Sequence, residues 1–222
     1  MTFTPDTVAA ALAHVRERVR AAGGGDDVEI LPVTKGFGPD AIVAAAAAGA
    51  HAIGENYVQE LLAKLDALDG LAELPTVHLI GQLQTNKVRH TAGRVAVYET
   101  VDRAGLAAEI AKRVPGATVL IQVATSPEPG KGGCPLGELE QLVDRVRALG
   151  LDLDGLMTVG PTPGALTATG PEAARPGFRA VRAAVDRFGL RTCSMGMSAD
   201  LEVAVSEGAT RVRVGSALFG AR

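Results

Sequence analysis

Apolar residues recur at two different spacings along this chain, and the two spacings alternate. The first stretch has the three-to-four-residue spacing of an amphipathic helix, with Thr4 placed to cap it and Pro5 suited to its first turn. Three consecutive glycines at 23–25 end this pattern. The amino terminus is therefore predicted to be a helix whose apolar side carries Val8, Leu12, Val15 and Val19.

Short, nearly continuous apolar runs follow, each separated from the next by a helical pattern. Such runs are typical of parallel strands buried on both faces, as in Val119–Val123. The strand-like runs lie near 28–35, 51–54, 76–81, 95–101, 117–124, 153–159, 191–195 and 210–215. The helical patterns lie near 39–49, 56–68, 84–92, 103–113, 137–149, 172–188 and 198–207. This alternation predicts the α/β class and a single (β/α)8 TIM-type barrel with an extra N-terminal helix, and an open doubly wound sheet is the second interpretation.

Two stretches depart from this regular alternation. Pro32 lies inside the first strand-like run and removes a ladder donor, which argues against a strand there. The irregular stretch from Gly160 to Gly177 follows the sixth run, which places it on the face where barrel active sites lie. It is interpreted either as a flexible lid or as an insertion without function. Neither stretch marks a domain boundary, so residues 1–222 are expected to form one domain.

Composition narrows the classes of partner. The net charge is −3, aromatic residues make up only 3% and tryptophan is absent, so nucleic acid is not an expected partner. No signal peptide and no uncharged apolar run of membrane-spanning length appear, so we expect a cytoplasmic protein without a membrane partner. Cys134 and Cys193 are too far apart in sequence for a disulfide framework or a zinc site. We expect a monomer, because no conspicuous apolar stripe is left over for a subunit interface.

Lys35 is the most informative residue for chemistry. It ends the first apolar run and directly precedes Gly36–Pro39, in a chain with five lysines against seventeen arginines. An amine at the carboxyl end of a buried strand can be partly desolvated, which favours the neutral, nucleophilic form that makes a Schiff base with an aldehyde. The alternative is a solvated lysine that closes a strand.

Glycine-rich segments end the last two strand-like runs. They are Ser194–Ser198 after the seventh run and Arg213–Ser216 after the eighth. In barrel enzymes the loops after strands seven and eight frequently bind phosphate through backbone N–H groups and a helix amino terminus. The hydroxyls of Ser198 and Ser216 could add hydrogen bonds, although Ser198 could instead serve only as a helix cap.

A second phosphate signal competes with this one. Gly36–Ala41 fits the pattern G-x-G-x-x-A after a strand, and Glu55 follows about twenty residues later, as in a dinucleotide-binding fingerprint. Lys35 directly before the first glycine and the continuing barrel pattern argue against that interpretation. A Schiff-base lysine and a phosphate site at one barrel mouth would suit pyridoxal 5′-phosphate. The sugar-phosphate substrate of an aldolase would fit the same pair, so the residues alone leave both ligands open.

Six motifs in the same order carry a resemblance that covers essentially the whole chain. They are Val33–Lys35, Gly54–Glu60, His78–Lys87, Gly155–Met157, Ser194–Ser198 and Val212–Gly220. Through them the chain resembles the pyridoxal phosphate homeostasis protein family, which is related to the barrel domain of alanine racemase. That family often has a second basic residue two places after its Schiff-base lysine. This chain has Phe37 there, so no transfer role is expected at that position.

The resemblance implies roles for individual residues. The lysine matching Lys35 carries pyridoxal 5′-phosphate as a Schiff base, and the residues matching Ser198, Gly215 and Ser216 hold the phosphate. Arg213 would face the pyridine nitrogen. Because a guanidinium stays charged and disfavours protonation of that nitrogen, the ring would be a poorer electron sink than one paired with a carboxylate.

Other polar residues have more than one interpretation. Asn56 follows the second run and is either a cofactor contact or the cap of the next helix. His78 is expected to be a hydrogen-bonded core histidine, and Arg211 a structural salt-bridge partner near the barrel bottom. Lys131 is either an exposed loop lysine or a residue that receives or relays cofactor. The histidines form no spaced cluster with acids or cysteines, so no metal site is expected.

The resemblance implies a pyridoxal-phosphate-binding protein of intracellular cofactor homeostasis that turns over no substrate. Its partners would be the cofactor itself and, for delivery, pyridoxal-phosphate-dependent apoenzymes. Racemase relatives have a second domain that supplies an acid/base tyrosine, whereas here the sequence ends soon after the last barrel helix and contains only Tyr57 and Tyr98. The alternatives are a small pyridoxal-phosphate-dependent amino-acid racemase and, more remotely, a Schiff-base aldolase that does not use this cofactor.

Overall fold

A computed structural model gives the structure of the chain and describes residues 3–71, 73–126, 128, 131–162 and 170–220. Of the irregular stretch expected at 160–177, residues 163–169 fall outside these ranges, so the lid interpretation lies largely outside the described residues. The α-helices are α1 Pro5–Ala21, α2 Pro39–Ala47, α3 Val58–Ala67, α4 Ala104–Arg113, α5 Leu139–Ala148, α6 Arg175–Phe188, α7 Leu201–Ser206 and α8 Ser216–Phe219. Short 3₁₀ helices occupy Thr85–His90, Leu136–Glu138 and Pro171–Ala174.

The strands form one parallel sheet that curls into a nearly closed barrel. They are β1 Glu29–Pro32, β2 Ala52–Glu55, β3 Thr76–Leu79, β4 Val97–Val101, β5 Thr118–Ala124, β6 Cys134–Pro135, β7 Asp152–Met157, β8 Thr192–Ser194 and β9 Arg211–Val214. Their order around the sheet is β1-β9-β8-β7-β5-β4-β3-β2, and the short β6 pairs with β5 off this path. An isolated parallel bridge from Val33 to Gly54 joins β1 to β2 and brings the ends of the sheet together. The predicted eight-stranded barrel is confirmed.

Pro32 is accommodated at this seam between β1 and β2. Along β1 the N–H groups of Glu29 and Val33 bond to the β9 side, at Thr210 O and Val214 O, so the nitrogen of Pro32 points towards β2. On that side regular pairing is replaced by the single bridge at Val33. The missing donor therefore falls where the ladder is already interrupted, which is how a proline is tolerated in this strand.

The predicted amino-terminal helix is present as α1 and packs on the outside of the barrel against α2, α7 and α8. Thr4 and Thr7 form reciprocal hydrogen bonds that cap it, and Val8, Val15 and Val19 are fully buried. Burial of this apolar stripe fixes α1 against the barrel, since helices in proteins gain most of their stability from packing.

Two elements differ from the sequence-based expectation. The pattern at 84–92 is a 3₁₀ helix, Thr85–His90, rather than an α-helix. The two-residue strand β6 was not predicted, because Cys134–Pro135 is too short to show any periodicity. Both cysteines are buried free thiols. Among the described residues, no helix combines the length and apolar character needed to cross a bilayer.

Candidate functional site

Lys35 lies in the turn directly after β1, at the carboxyl end of the barrel. The main chain before it is bonded on both sides, Val33 N–H to Val214 O at 2.8 Å and Thr34 N–H to Gly54 O at 3.1 Å. Gly36 has φ +74°, a conformation that favours glycine, and it reverses the chain immediately after the lysine. Lys35 itself is half-buried. The strand end is therefore rigid up to the residue that carries the amine.

Four residues beside this turn form a group that we call the Lys64 cluster: Thr34, Glu55, Glu60 and Lys64. The Lys64 ammonium, on α3, lies 2.6 Å from a carboxylate oxygen of Glu55 and 2.6 Å from one of Glu60. It also donates to the carbonyl of Thr34 at 2.8 Å, and the Thr34 hydroxyl donates to Glu55 Oε1 at 2.6 Å. Lys64 and Glu55 have almost no exposed side-chain surface. The cluster therefore joins β1, β2 and α3 beneath Lys35.

The Glu55 carboxylate in this cluster has hydrogen bonds on one oxygen and none on the other. Both of its hydrogen bonds fall on Oε1, while the buried Oε2 has no hydrogen-bond partner in the described structure. Burial raises the pKa of the Glu55 carboxyl above its ordinary value, and the hydrogen bonds from Lys64 and Thr34 only partly oppose this.

A second group crosses the barrel interior; we call it the Glu99 network, and it consists of His78, Glu99, Ser194, Arg211 and Arg213. Glu99 Oε1 is 2.8 Å from His78 Nδ1 and accepts from Arg211 at 3.0 Å, and Oε2 accepts from the Ser194 hydroxyl at 2.6 Å. Arg213 donates to the Ser194 hydroxyl at 2.8 Å. Because β4 and β9 are not neighbours in the sheet, these bonds span the inside of the barrel.

The Glu99 network holds its charges firmly. Burial alone would raise the pKa of Glu99, but the hydrogen bond with His78 and the positive charges of Arg211 and Arg213 outweigh burial and lower the pKa to about 2. Burial lowers the pKa of the Arg213 guanidinium, and the charge of Glu99 opposes that effect. Arg213 also donates to Thr158 O at 2.6 Å, so two of its nitrogens are fixed. Its orientation is therefore set by the protein.

The glycine- and serine-rich ends of β8 and β9 meet beside the Lys35 turn. Gly215 lies against Val33, where an added Cβ would be 3.3 Å from the Val33 carbonyl oxygen. Ser198 Oγ is 3.4 Å from the N–H of Ala217, next to Ser216. The residue that caps α7 is Asp200, which rules out the interpretation of Ser198 as that cap. Backbone and hydroxyl groups from two loops are thus gathered at one place.

Asn56 completes the mouth from the β2 side. Helix α3 begins at Val58 with Tyr57 as its N-cap, so Asn56 is not the cap. The Oδ1 atom of Asn56 is buried and has no hydrogen-bond partner among the described residues. The Asn56 backbone is approached so closely by Gly81 that a Cβ at Gly81 would overlap it. Asn56 therefore has a fixed position and an acceptor that the protein leaves unused.

The structure also decides several of the other interpretations. His78 is a hydrogen-bonded core histidine, as expected, and Arg211 forms ion pairs with Glu99 at 3.0 Å and Glu29 at 2.7 Å. Lys131 is bound to Glu128 at 2.7 Å and to the carbonyl of Gly160 at 2.7 Å, so it is not a solvated loop lysine. Within the described ranges, no three His, Cys, Asp or Glu side chains are grouped so as to hold a metal ion.

Phe37, which stands where the family often has a basic residue, belongs to an aromatic cluster. Its ring centroid lies 5.4 Å from that of Phe3 and 5.3 Å from that of Phe219 on α8. Phe3 and Phe219 are also 5.4 Å apart. Aromatic contacts at this spacing contribute to packing beyond simple burial. The cluster ties the segment after Lys35 to the helix that begins at Ser216.

Sequence reasoning missed Lys64 and Glu99 as parts of the site. A signal existed for Lys64, which occupies the buried stripe of α3 together with Val58 and Leu61, where an apolar residue is the norm. Glu99 also lies within an apolar run, but its partner Arg211 is 112 positions away, and no local pattern connects the two.

Known proteins match this chain over nearly its whole length. The family model described as alanine racemase, N-terminal domain, matches residues 8–222. The pyridoxal phosphate homeostasis protein of Pseudomonas aeruginosa is 40% identical over 229 residues, which cover 100% of this chain and 97% of the relative. That of Escherichia coli K12 is 36% identical over 223 residues, 95% of each chain.

A solved structure gives the same result. PipY of Synechococcus elongatus, solved with PLP bound, has a TM-score of 0.81 and 32% identity, and the match covers 96% of this chain and 100% of that one. The earlier resemblance is therefore confirmed over the length of the chain. This chain belongs to the pyridoxal phosphate homeostasis protein family and has the fold of the alanine racemase N-terminal domain.

Proposed function

We propose that this protein binds pyridoxal 5′-phosphate and serves in its intracellular homeostasis, holding the cofactor as a Schiff base on Lys35. The observation that carries the proposal is the convergence of a rigidly held, half-buried lysine with the glycine- and serine-rich ends of β8 and β9 at one barrel mouth. An aldehyde and a phosphate on one ligand match this pair of sites. The relatives' names and the PLP-bound PipY structure support the choice of ligand.

The residues present fit the cofactor. Gly215 has no side chain, so a phosphate can approach the backbone beside Val33. Ser198 Oγ is 3.4 Å from the N–H of Ala217, next to Ser216, and the hydroxyls of both serines would donate to phosphate oxygens. The buried, unpartnered Oδ1 of Asn56 can accept a hydrogen bond from a ligand, which would remove the cost of leaving it unsatisfied.

Arg213 would determine the electronic behaviour of the bound ring. When bound to a protein, pyridoxal phosphate can stabilise negative charge next to its aldehyde carbon, and it does so best when its ring nitrogen is protonated. Arg213 is fixed by Ser194 and Thr158 and is balanced by Glu99, so it would present a cation to that nitrogen. A cation disfavours protonation, so the ring would be a poorer electron sink than one paired with a carboxylate.

The two tyrosines of the chain argue against a racemase. Tyr98 is fully buried, its hydroxyl is 2.8 Å from the Thr91 hydroxyl, and burial raises its pKa. It is therefore in no position to exchange protons with a ligand at the barrel mouth. Tyr57 is exposed and caps α3. We therefore propose a carrier or buffer of the cofactor, with the racemase alternative not favoured.

The test is an absorbance spectrum of the purified protein loaded with pyridoxal phosphate, before and after borohydride reduction, followed by peptide mapping. We expect a visible band that disappears on reduction, with the label on Lys35. The matched control is Lys112→Ala, at an exposed lysine of α4, which should leave the band and the label unchanged, whereas Lys35→Ala should lose both. Label spread over several lysines, or no band, would contradict the proposal.

We further propose that the protein occupies the cytoplasm as one domain and one subunit, and that it passes the cofactor to pyridoxal-phosphate-dependent apoenzymes. Mixing the loaded protein with such an apoenzyme should restore enzyme activity faster than spontaneous release of the cofactor allows. Light scattering of the loaded protein should give the mass of one chain. Amino-acid turnover by the loaded protein would instead favour an enzyme.

A further inference from the structure

Both peptide groups that flank Lys35 are held by the Lys64 cluster. The carbonyl of Thr34, immediately before Lys35, accepts from the Lys64 ammonium at 2.8 Å. The N–H of Gly36, immediately after it, donates to Glu60 Oε1 at 2.5 Å. Glu60 is in turn paired with Lys64 at 2.6 Å. One ion pair therefore fixes the main chain on either side of Lys35.

The position of Lys64 is unusual for a lysine. Its side chain is 5% exposed and lies in the buried stripe of α3, whereas lysine is almost never fully buried unless it is paired. A buried ion pair costs desolvation energy, and well-packed apolar residues at such sites are often as stable or more so. Overall stability is thus a weak reason for a charged group here, and the bonds to the Lys35 turn suggest a more specific one.

We propose that Lys64 is a positioning residue for Lys35, fixing through Thr34 O and Glu60 the turn from which the Lys35 amine reaches the cofactor aldehyde. This inference rests on the proposed function. A preorganised turn loses less conformational freedom when the bond to the cofactor forms, so the covalent linkage gains affinity without any contact between Lys64 and the ligand. The phosphate loops after β8 and β9 do not belong to the cluster, so binding through the phosphate alone does not depend on it.

The test compares two ligands on three variants. Pyridoxal 5′-phosphate can form the Schiff base, whereas pyridoxine 5′-phosphate carries an alcohol in place of the aldehyde and can bind only through its phosphate and ring. The variants are Lys64→Met, which keeps the length and removes the charge; Glu60→Ala, which releases Gly36 N–H but keeps the Lys64–Glu55 pair; and the control Lys112→Met at an exposed lysine. Dissociation constants are measured for both ligands, with the pH midpoint of the visible band of bound pyridoxal phosphate.

For Lys64→Met we expect pyridoxal phosphate to bind about tenfold more weakly and pyridoxine phosphate less than about twofold more weakly, with a shifted pH midpoint. Glu60→Ala should weaken pyridoxal phosphate binding selectively by about threefold, and the control should leave the dissociation constants of both ligands unchanged. Equal losses for both ligands, or no loss, would overturn the positioning role. If Lys64→Met does not fold, the test rests on Glu60→Ala, by comparing its loss of affinity for pyridoxal phosphate with its loss for pyridoxine phosphate. A wild-type protein that yields no reducible adduct on Lys35 would instead refute the proposed function, which separates the two failures.

Discussion

Glu55, between the barrel and α3, and Glu99, inside the barrel, are both fully buried carboxyl groups, yet their surroundings shift their pKa values in opposite directions. Each oxygen of Glu99 has a partner, and two guanidinium groups lie close to it. Glu55 has both of its hydrogen bonds on one oxygen and none on the other. At Glu99 the partners outweigh the effect of burial and the pKa falls, whereas at Glu55 burial dominates and the pKa rises. The direction of the shift depends on how many hydrogen bonds and opposite charges the protein provides to the carboxylate.

The difference separates two tasks on the two sides of the site. In the Glu99 network, the Glu99 carboxylate supplies an anion close to Arg213, and Ser194, which is bonded to Glu99, helps to orient Arg213. The Lys64 cluster holds the Lys35 turn with an ion pair that is only partly satisfied. The Glu99 carboxyl is expected to stay charged well below the ordinary pKa of 4.5, whereas the Glu55 carboxyl should take up its proton above that value.

Removing the charge of Glu99 should have the largest effect on stability. Glu99→Gln keeps the shape but removes the buried anion close to Arg211 and Arg213, and it leaves Arg211 paired with the partly exposed Glu29. Breaking a buried charge pair from one side typically costs about 3–5 kcal/mol of unfolding free energy. Urea denaturation of the variant and the wild type measures the difference.

The control for this variant is Glu29→Gln, which removes the other carboxylate that pairs with Arg211. The Glu29 side chain is 40% exposed, so solvent screens that pair and the loss should stay below about 1 kcal/mol. Equal costs for the two variants would show that the Glu99 network contributes no more than a surface pair.

The acid limb of the stability curve tests the same comparison through pH. Glu99 has a folded-state pKa of about 2 against an ordinary value of 4.5, so it binds its proton more weakly in the folded protein. Ionised Glu99 therefore adds about 3 kcal/mol to the unfolding free energy at pH values above its unfolded-state pKa. This contribution is lost as the pH falls towards 2. The unfolding free energy measured from pH 6 to pH 2 should therefore fall less steeply in Glu99→Gln than in the wild type. Parallel curves would contradict the low pKa.

Glu55→Gln should behave in the opposite sense and on a smaller scale. The raised folded-state pKa of Glu55 means that its contribution is fully present below the unfolded value of 4.5 and is lost as the pH rises through the raised one. The amide retains an acceptor for Thr34 and Lys64, so the cost at neutral pH should be about 1 kcal/mol. Thermal unfolding at pH 4 and pH 8 checks the sign: the variant should lose more stability relative to the wild type at pH 4.

Much of the fold could be predicted because barrel strands are buried on both faces and therefore appear in the sequence as apolar runs. The long strand at 117–124 was predicted almost to its ends, whereas the pattern at 84–92 proved to be a 3₁₀ helix. Helical spacing of apolar residues does not distinguish the two helix types over six residues. Residues at strand ends, such as Lys35 and Ser198, could be placed at one mouth because parallel strands all end there.

The interior partners could not be predicted in the same way. Glu99 meets Ser194 and Arg213 through the closure of the barrel, which brings β4, β8 and β9 together across its inside. Barrel closure determines these contacts, and no local spacing encodes it. Lys64 could have been singled out as a lysine on an apolar stripe, but its bonds to Thr34 and Glu60 depend on where α3 packs.

Gly215 lies where the two regions meet, and its substitution should have a modest effect on stability but a specific one on binding. It follows Arg213 by two residues, and a Cβ there would be 3.3 Å from the Val33 carbonyl oxygen, close enough that the end of β1 must yield by a few tenths of an ångström. Gly215→Ala should cost less than about 1.5 kcal/mol of unfolding free energy. It should also weaken binding of pyridoxine 5′-phosphate several-fold, because the new methyl group occupies the approach to the backbone.

The matched control is Gly105→Ala on α4, where an added Cβ meets nothing within 4 Å. This variant should be neutral or slightly stabilising. If Gly215→Ala weakened only pyridoxal phosphate and spared pyridoxine phosphate, the methyl group would be acting on the Lys35 turn, and the separation between a phosphate side and a lysine side would have to be redrawn.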